Sequence, residues 1–226
     1  MSRDSHLCRV YSLGLVPYRE GLALQRRLHE AVAAGGEDRL LLLEHPPVIT
    51  LGRGANPANI LVTPEILAAE GIELHEAERG GDVTYHGPGQ LVVYPILDLD
   101  RHGRDLHALL RGYEEVGIRV LARFGLAGRR DPRYTGVWVG EEKIMAIGVA
   151  VKKWVTYHGF AFNVTPNLVH FRLIHPCGIK DKGVTSLAVL LGRQVNRAEV
   201  EPMMVEEMGR VFGLEMLWEE AAPEAG

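Results

Sequence analysis

The sequence predicts an α+β fold in which a mostly antiparallel sheet is flanked by helices. Short apolar segments of strand type occur in runs, and segments with helical spacing interrupt these runs. The last runs are joined by tight turns, which link antiparallel neighbours. With 226 residues, 46% of them hydrophobic, the chain is long enough to bury a full core. We therefore expect a single domain over residues 1–226.

The first third of the chain alternates strand and helix patterns. Residues 9–15 alternate in polarity and are rich in β-forming residues, which predicts a strand. Residues 18–34 have apolar positions at helical spacing and stop at Gly35, a typical helix end. Residues 40–43 and 48–51 are short apolar runs that predict buried strands.

Capping signals mark three further helices. Thr63 followed by Pro64 is a cap with proline at the first helical position. A longer helix is predicted for residues 105–124. Asn196 begins a capping-box variant, and Pro202 is expected to kink that helix or move its start.

Three successive strands follow the second long helix. Residues 137–139, 144–151 and 154–164 are predicted to pair as antiparallel neighbours. A tight connection between the first two places Lys143 at the edge of that hairpin. At the other end of the chain, we expect residues 221–226 to be frayed.

Composition excludes several functional classes. The longest apolar run, residues 144–151, is far shorter than the ~18 residues of a membrane span, and the N-terminus lacks the apolar core of a signal peptide. We therefore expect a cytoplasmic protein. Cys8 and Cys177 are expected to be free thiols in a reducing compartment, and no Cys/His cluster has the spacing of a zinc site.

Positive charge is concentrated in one segment of an acidic protein. All five lysines and Arg172 fall within residues 143–182, which carry one acid, Asp181, and a net charge of +5, whereas the whole chain carries −4. This distribution suits an acidic protein partner better than nucleic acid. The alternative is a solvated strand face with incidental charge.

A glycine-dense stretch, residues 79–90, is the most informative feature. Glycine lets the backbone approach a ligand closely, so the stretch predicts backbone amides arranged around a bound group. The alternative is a sharp turn between strands. The stretch contains neither a dinucleotide fingerprint nor a P-loop ending. Its candidate binding residues are Arg79, Gly80, Gly81, Asp82, Val83, Thr84, Tyr85 and His86.

Four motifs together resemble one enzyme family, the lipoyl(octanoyl) transferases. Besides the glycine-dense stretch, they occupy residues 45–53, 136–149 and 155–187. The motifs run in order from about Tyr18 to Leu187, which is most of the chain. The resemblance implies the fold shared with biotin and lipoate protein ligases.

The resemblance implies that Cys177 is the acyl-accepting nucleophile. Its neighbours Pro176 and Gly178 are turn residues, so the thiol is presented from a bend. Nearby Lys180 and Lys182 favour the thiolate. A lone cysteine is more often a small buried hydrophobic residue, and that interpretation is retained for Cys8.

The resemblance also implies that Lys143 is the partner of Cys177. An ammonium beside the sulfur favours the thiolate over the thiol. After the sulfur is acylated, a partly desolvated lysine releases its proton more easily and can accept one from an incoming amine. By itself, Lys143 reads as a solvated hairpin lysine.

Two further segments are implied to line an acyl-chain pocket. Small residues leave room for the acyl chain there, and apolar neighbours stabilise the buried chain. Phe160 stands where leucine is more usual in the family, which bears on acyl length. His86 and His158 are either buried structural histidines or residues that orient the loop or the lysine. The implied lining residues are Ala146, Ile147, Gly148, Gly159, Phe160 and Ala161.

The function implied is transfer of an octanoyl or lipoyl group from acyl carrier protein to a specific lysine, through a thioester on Cys177. The acceptors implied are the lipoyl domains of 2-oxoacid dehydrogenases and the glycine cleavage H protein, and the reaction begins lipoate synthesis. It needs no cofactor, because a thioester is already activated.

Three other functions remain open. An ATP-dependent ligase of the same fold has no need of a nucleophilic cysteine. A noncatalytic module that binds lipoyl domains explains Lys152 and Lys153 but not Cys177. A cysteine thioesterase differs in using water as acceptor.

Overall fold

The computed structural model describes residues 6–179 and 182–221, apart from the side chain of Cys177. Lys180 and residues 222–226 of the tail predicted to fray lie outside it. The helices are α1 (Tyr18–Ala33), α2 (Pro64–Ala69), α3 (Leu106–Arg123), α4 (Leu187–Leu191) and α5 (Arg197–Phe212). The strands are β1 (His6–Leu15), β2 (Asp38–Glu44), β3 (Val48–Leu51), β4 (Glu73–Glu76), β5 (Val83–His86), β6 (Gln90–Ile96), β7 (Val137–Val139), β8 (Glu142–Lys152), β9 (Val155–Asn163), β10 (Gly183–Val184) and β11 (Leu214–Trp218).

A large mixed sheet forms the centre of the fold, with the strand order β10-β8-β9-β6-β2-β1-β11 and β7 paired to β8. Its central pairs, β8 with β9, β9 with β6 and β6 with β2, are antiparallel. Parallel pairs lie toward the edges, where α1 provides the long connection that the parallel pair β1 and β2 requires. The predicted α+β class is confirmed.

Helices cover the two faces of this sheet. On one face α3 and α5 contribute Tyr113 and Met204 to a core that includes Leu40 and Phe162. On the other face α1 packs Val32 against a smaller core. The pattern follows from strand alternation, since successive side chains point to opposite faces.

A second, three-stranded sheet has the order β4-β3-β5. A separate apolar cluster supports it, which includes Ile49, Tyr85, Phe171 and Ile174. This small sheet carries the glycine-dense loop between β4 and β5. The backbone N–H of Gly80 donates to the carbonyl of Val149 in β8 at 2.8 Å, and this hydrogen bond holds the loop against β8 of the large sheet.

The helix limits agree with the capping signals. Asn196 donates its backbone N–H to Glu199 Oε1 at 3.0 Å, as the capping box requires. Helix α5 therefore begins at Arg197 and continues past Pro202, so the expected displacement of its start does not occur. No helix among residues 6–179 and 182–221 is long and apolar enough to cross a membrane.

Candidate active site

Lys143 is buried, which fits the partly desolvated lysine that the resemblance implies and not the solvated hairpin lysine of the alternative interpretation. Its side chain lies in β8 with the residue only 6% exposed, and its Nζ lies 4.8 Å from the ring centroid of Trp138. Gly136 makes room for the lysine stem, because a Cβ at that position would lie 3.3 Å from Lys143 Cε and 2.6 Å from the Met145 carbonyl oxygen. The indole face stabilises an ammonium that has lost most of its water.

Lys182 approaches the same indole. Its Nζ lies 5.2 Å from the ring centroid of Trp138 and 3.2 Å from Asp131 Oδ2, and it also pairs with Glu141. The hydrogen bond to Glu141 raises the pKa of Lys182. Because Lys143 and Lys182 are buried beside one ring, the basic segment is not a continuous charged surface around the site.

The backbone of Cys177 lies beside the glycine-dense loop. It belongs to a 3-10 turn, Pro176–Gly178, whose preceding residue, His175, donates its N–H to the Asn59 carbonyl at 2.8 Å. A Cβ built on Gly178 would lie 3.2 Å from Asp82 Oδ2. The Cys177 side chain lies outside the described atoms.

The segment after Cys177 returns to the strand that carries Lys143. Strand β10 pairs in parallel with β8, with Val184 opposite Lys143, and the Thr185 N–H donates to the Lys143 carbonyl at 3.0 Å. Backbone hydrogen bonds therefore join the strand that carries Lys143 to residues 183–185, which begin six residues after Cys177.

The buried guanidinium of Arg79 holds the glycine-dense loop in place through hydrogen bonds to backbone carbonyls. This 7% exposed residue donates from Nη2 to the Thr50 carbonyl at 2.7 Å and from Nη1 to the Gly80 carbonyl at 3.1 Å. The Gly54 N–H donates to the Gly81 carbonyl at 3.0 Å. Since the Gly80 N–H already binds Val149, it is not available to stabilise an oxyanion.

A narrow slot with a volume of ≈ 40 Å³ runs under this loop. Its floor is made of small residues from β8 and β9, which pair as Ala146 with Ala161 and Gly148 with Gly159. The absence of larger side chains on these two neighbouring pairs leaves the space. The lining residues are Tyr18, Arg79, Gly81, Thr84, His86, Val92, Tyr94, Ala146, Ile147, Gly148, His158, Gly159, Phe160 and Ala161.

Four of the loop residues expected to bind substrate line the slot, namely Arg79, Gly81, Thr84 and His86. Val83 and Tyr85 pack into the apolar cluster of the small sheet, because side chains alternate along β5 and only Thr84 and His86 face the slot. Asp82 instead braces the loop: its Oδ1 accepts the Asn56 N–H at 2.9 Å and its Oδ2 accepts from the Asn59 side chain.

Phe160 borders the slot without filling it. Its ring packs in the larger core, 5.2 Å between centroids from Tyr113. Phe160 nevertheless belongs to the lining of the slot, where the sequence predicted it.

A buried chain of hydrogen bonds leads from His86 toward Lys143. His86 Nδ1 and Gln90 Oε1 are 2.7 Å apart, Gln90 Nε2 donates to Asn163 Oδ1 at 2.9 Å, and Asn163 Nδ2 donates to the Thr185 carbonyl at 3.0 Å. Burial lowers the pKa of His86 to about 3, so its ring is neutral near pH 7. His86 is therefore a buried, neutral histidine that is hydrogen-bonded to Gln90.

Sequence reasoning missed Tyr18, Val92 and Tyr94 as slot residues. Each belongs to a helix or strand whose pattern predicts only core packing. No local sequence signal distinguishes these three residues from ordinary core residues, because only the tertiary fold brings them to the slot.

The remaining thiol, Cys8, is structural. It is fully buried in β1, and burial raises the pKa of its thiol. Among the residues that the structure describes, no three His, Cys, Asp or Glu side chains form a candidate metal site.

Comparison with known proteins gives one consistent family. The model of the lipoyl protein ligase A/B catalytic domain matches residues 17–209. An octanoyltransferase of Caldicellulosiruptor saccharolyticus is 54% identical over 204 residues, covering 89% of this chain and 87% of that protein. An octanoyltransferase of Desulforamulus reducens is 47% identical over 208 residues, covering 91% of each.

Solved structures agree on the fold. A lipoate-protein ligase A bound with ATP matches with a TM-score of 0.79 at 18% identity, covering 95% of this chain and 88% of that one. The biotin protein ligase from Aquifex aeolicus in complex with biotin and ATP matches with a TM-score of 0.56 at 15% identity, covering 91% and 70%. At these identities the likeness concerns the fold alone.

Proposed function

Because the chain belongs to the octanoyltransferases of the lipoyl protein ligase A/B catalytic family, we propose that it moves an octanoyl or lipoyl group from acyl carrier protein to a lysine of a lipoyl domain. The chain is an acyltransferase. The proposed acceptors are the lipoyl domains of 2-oxoacid dehydrogenases and the glycine cleavage H protein.

The observation that carries this proposal is the backbone pairing of residues 183–185, which begin six residues after Cys177, with the strand of Lys143. The Thr185 N–H donates to the Lys143 carbonyl at 3.0 Å, and a slot with a floor of small residues begins three residues further along β8. This arrangement suits a nucleophile and a proton acceptor at the mouth of an acyl-binding slot.

In the first half-reaction the Cys177 thiolate attacks the carbonyl carbon of the acyl thioester. The bond from that carbon to the carrier sulfur breaks, and the carrier leaves as a thiol after taking the proton that the Lys143 ammonium releases. Lys143 as an ammonium favours the attacking thiolate.

In the second half-reaction the acceptor lysine amine attacks the acyl carbon on Cys177. Lys143 as a neutral amine takes the proton that the attacking nitrogen loses, and Cys177 leaves as a thiolate. The product is an amide. One lysine thus serves both steps, because its charge state follows that of the sulfur.

The experiment is intact-mass analysis after mixing the protein with octanoyl-loaded carrier protein in the absence of ATP. A covalent octanoyl adduct is expected, and Cys177→Ser should abolish it. Cys8→Ser is the matched control and should leave it unchanged, since Cys8 is buried in β1. An undiminished adduct on Cys177→Ser would exclude this nucleophile, and a requirement for ATP would favour a ligase.

The role of Lys143 has its own test. Lys143→Arg keeps a positive charge but cannot lose a proton at ordinary pH. In single-turnover measurements, Lys143→Arg should therefore retain more of the wild-type rate of acyl loading than of the wild-type rate of transfer to the amine. Equal losses in both steps would assign the residue to geometry rather than to proton transfer.

A further inference from the structure

The end of the slot remote from Lys143 carries two polar atoms without protein partners. Tyr18 and His158 line the slot and are 3% and 2% exposed. The Tyr18 Oη and His158 Nε2 atoms have no hydrogen-bond partner among the described residues. Buried polar atoms in native proteins almost always have a partner, which is protein or ordered water.

The position of His158 is held by an unusual backbone. The residue lies within β9 but has a φ of +57°, a left-handed conformation that is uncommon outside glycine. Its N–H donates to Gln25 Oε1 of α1 at 2.7 Å. Backbone strain of this kind persists where the surroundings fix it, and it is concentrated at binding sites.

Ring contacts place Tyr18 and His158 in one cluster. Tyr18 contacts His45 at 5.4 Å between centroids, His45 Nε2 lies 2.7 Å from Tyr94 Oη, and Tyr94 contacts His158 at 6.2 Å. His158 is opposite Val149, six residues along β8 from Lys143. The cluster therefore forms the far end of the slot.

We propose that Tyr18 and His158 bind one water molecule at this end and that the water limits the length of the acyl chain the enzyme accepts. The inference rests on the proposed function. A water needs about 10–15 Å³ and at least two polar partners, and the slot of ≈ 40 Å³ provides both.

Displacement of this water explains how the enzyme discriminates between acyl chains of different length. An eight-carbon chain has seven C–C bonds of about 1.5 Å and reaches at most about 10 Å. The residues of β8 from Lys143 to Val149 span roughly 20 Å. Side chains at the Lys143 end of the slot occupy part of this length, and the acyl chain lies in the rest. A longer chain has to expel the water and leave two buried polar atoms unsatisfied, which an apolar methyl group cannot offset.

The test is a series of small hexanoyl, octanoyl, decanoyl and dodecanoyl thioesters, with single-turnover loading followed by intact mass. The wild-type protein should load octanoyl faster than dodecanoyl. Tyr18→Phe removes the hydroxyl with little change of shape, and it should raise the dodecanoyl-to-octanoyl ratio about tenfold. His158→Asn should do the same, since asparagine tolerates the left-handed conformation.

Tyr113→Phe is the matched control. The Tyr113 hydroxyl is also buried without a partner among the described residues, but it belongs to the larger core outside the slot, so the ratio should not change. A wild-type ratio in both Tyr18→Phe and His158→Asn overturns the water-based length limit while leaving the proposed function intact. A wild-type protein that loads none of the thioesters overturns both.

Discussion

Lys143 and Trp138 form a cation–π contact, with the ammonium nitrogen 4.8 Å from the indole centroid and the indole fully buried. Neighbouring strands produce this contact, since Trp138 of β7 is opposite Lys143 of β8. A flexible lysine side chain has many rotamers, and the ring selects those that keep the ammonium over its face. Trp138 is therefore a positioning residue for the proposed proton acceptor.

Trp138→Phe should slow the transfer to amine about tenfold, because phenylalanine provides a weaker cation–π contact. Weaker stabilisation of the ammonium should also move the acidic limb of the pH–rate profile for that step to lower pH. Trp154→Phe is the matched control: its ring contacts Arg104 at 5.2 Å on the surface, away from the slot. Loss of stability with an unmoved pH profile would assign Trp138 to packing alone.

The small residues of the slot floor should control entry of the acyl chain. Ala161→Val adds two methyl groups opposite Ala146, and octanoyl loading should fall at least about tenfold while a butanoyl thioester is affected less. Ala150→Val is the control, since Ala150 is buried in the same pair of strands but does not line the slot. If Ala161→Val loads both thioesters as the wild-type protein does, the chain binds elsewhere.

Patterns along the chain predicted most of the fold, but they did not predict its shortest strands. Strand β10 has only two residues, too few for any periodicity, yet it pairs with β8 beside Lys143. The resemblance to the enzyme family identified the segments of β8 and β9 that line the slot. It did not identify Tyr18, because Tyr18 belongs to a helix that is distant in sequence from those segments. The side chain of Val83 points away from the slot because side chains alternate along β5, and the family motif, which was assigned to the site as a whole, does not show this alternation.

Three buried histidines should make stability depend on pH. Burial lowers the pKa of His45 to about 4 and the pKa values of His86 and His158 to about 3. These rings stay neutral in the folded state while the unfolded chain takes up protons below its ordinary pKa near 6.5, so acid favours unfolding. The free energy of unfolding should fall by about 2 kcal/mol per histidine between pH 7 and pH 5.

Denaturant titrations of the wild-type protein and His86→Gln would measure this dependence. The variant should show a smaller decrease between the two pH values, because it lacks one of the groups that protonates only on unfolding. His107→Gln is the control, since His107 is exposed on α3. Equal pH slopes for His86→Gln and the wild-type protein would contradict the buried neutral ring.

Lys152 and Lys153 provide exposed positive charge on which we expect the acidic acyl carrier protein to dock. They lie at the turn between β8 and β9, nine residues from Lys143, which is about 30 Å along the strand. They are exposed, and the adjoining surface cavity of ≈ 630 Å³ is also lined by Arg26. Neither lysine lines the slot, and at that distance they do not contact Lys143.

Reversal of both charges, Lys152→Glu with Lys153→Glu, should therefore slow loading from the acidic carrier protein through its association rate. Loading from a small octanoyl thioester should be unchanged, and added salt should reduce the difference, since exposed charges are screened over about 10 Å at 0.1 M. The double reversal of Arg119 and Arg210 to Glu is a matched change of charge on another surface, since both are exposed on α3 and α5, which cover the other face of the large sheet from α1. If this control slows carrier-dependent loading as much, net charge rather than a specific docking surface governs the encounter. If neither reversal slows it, the carrier protein docks nearer the mouth of the slot, where β10 pairs with β8.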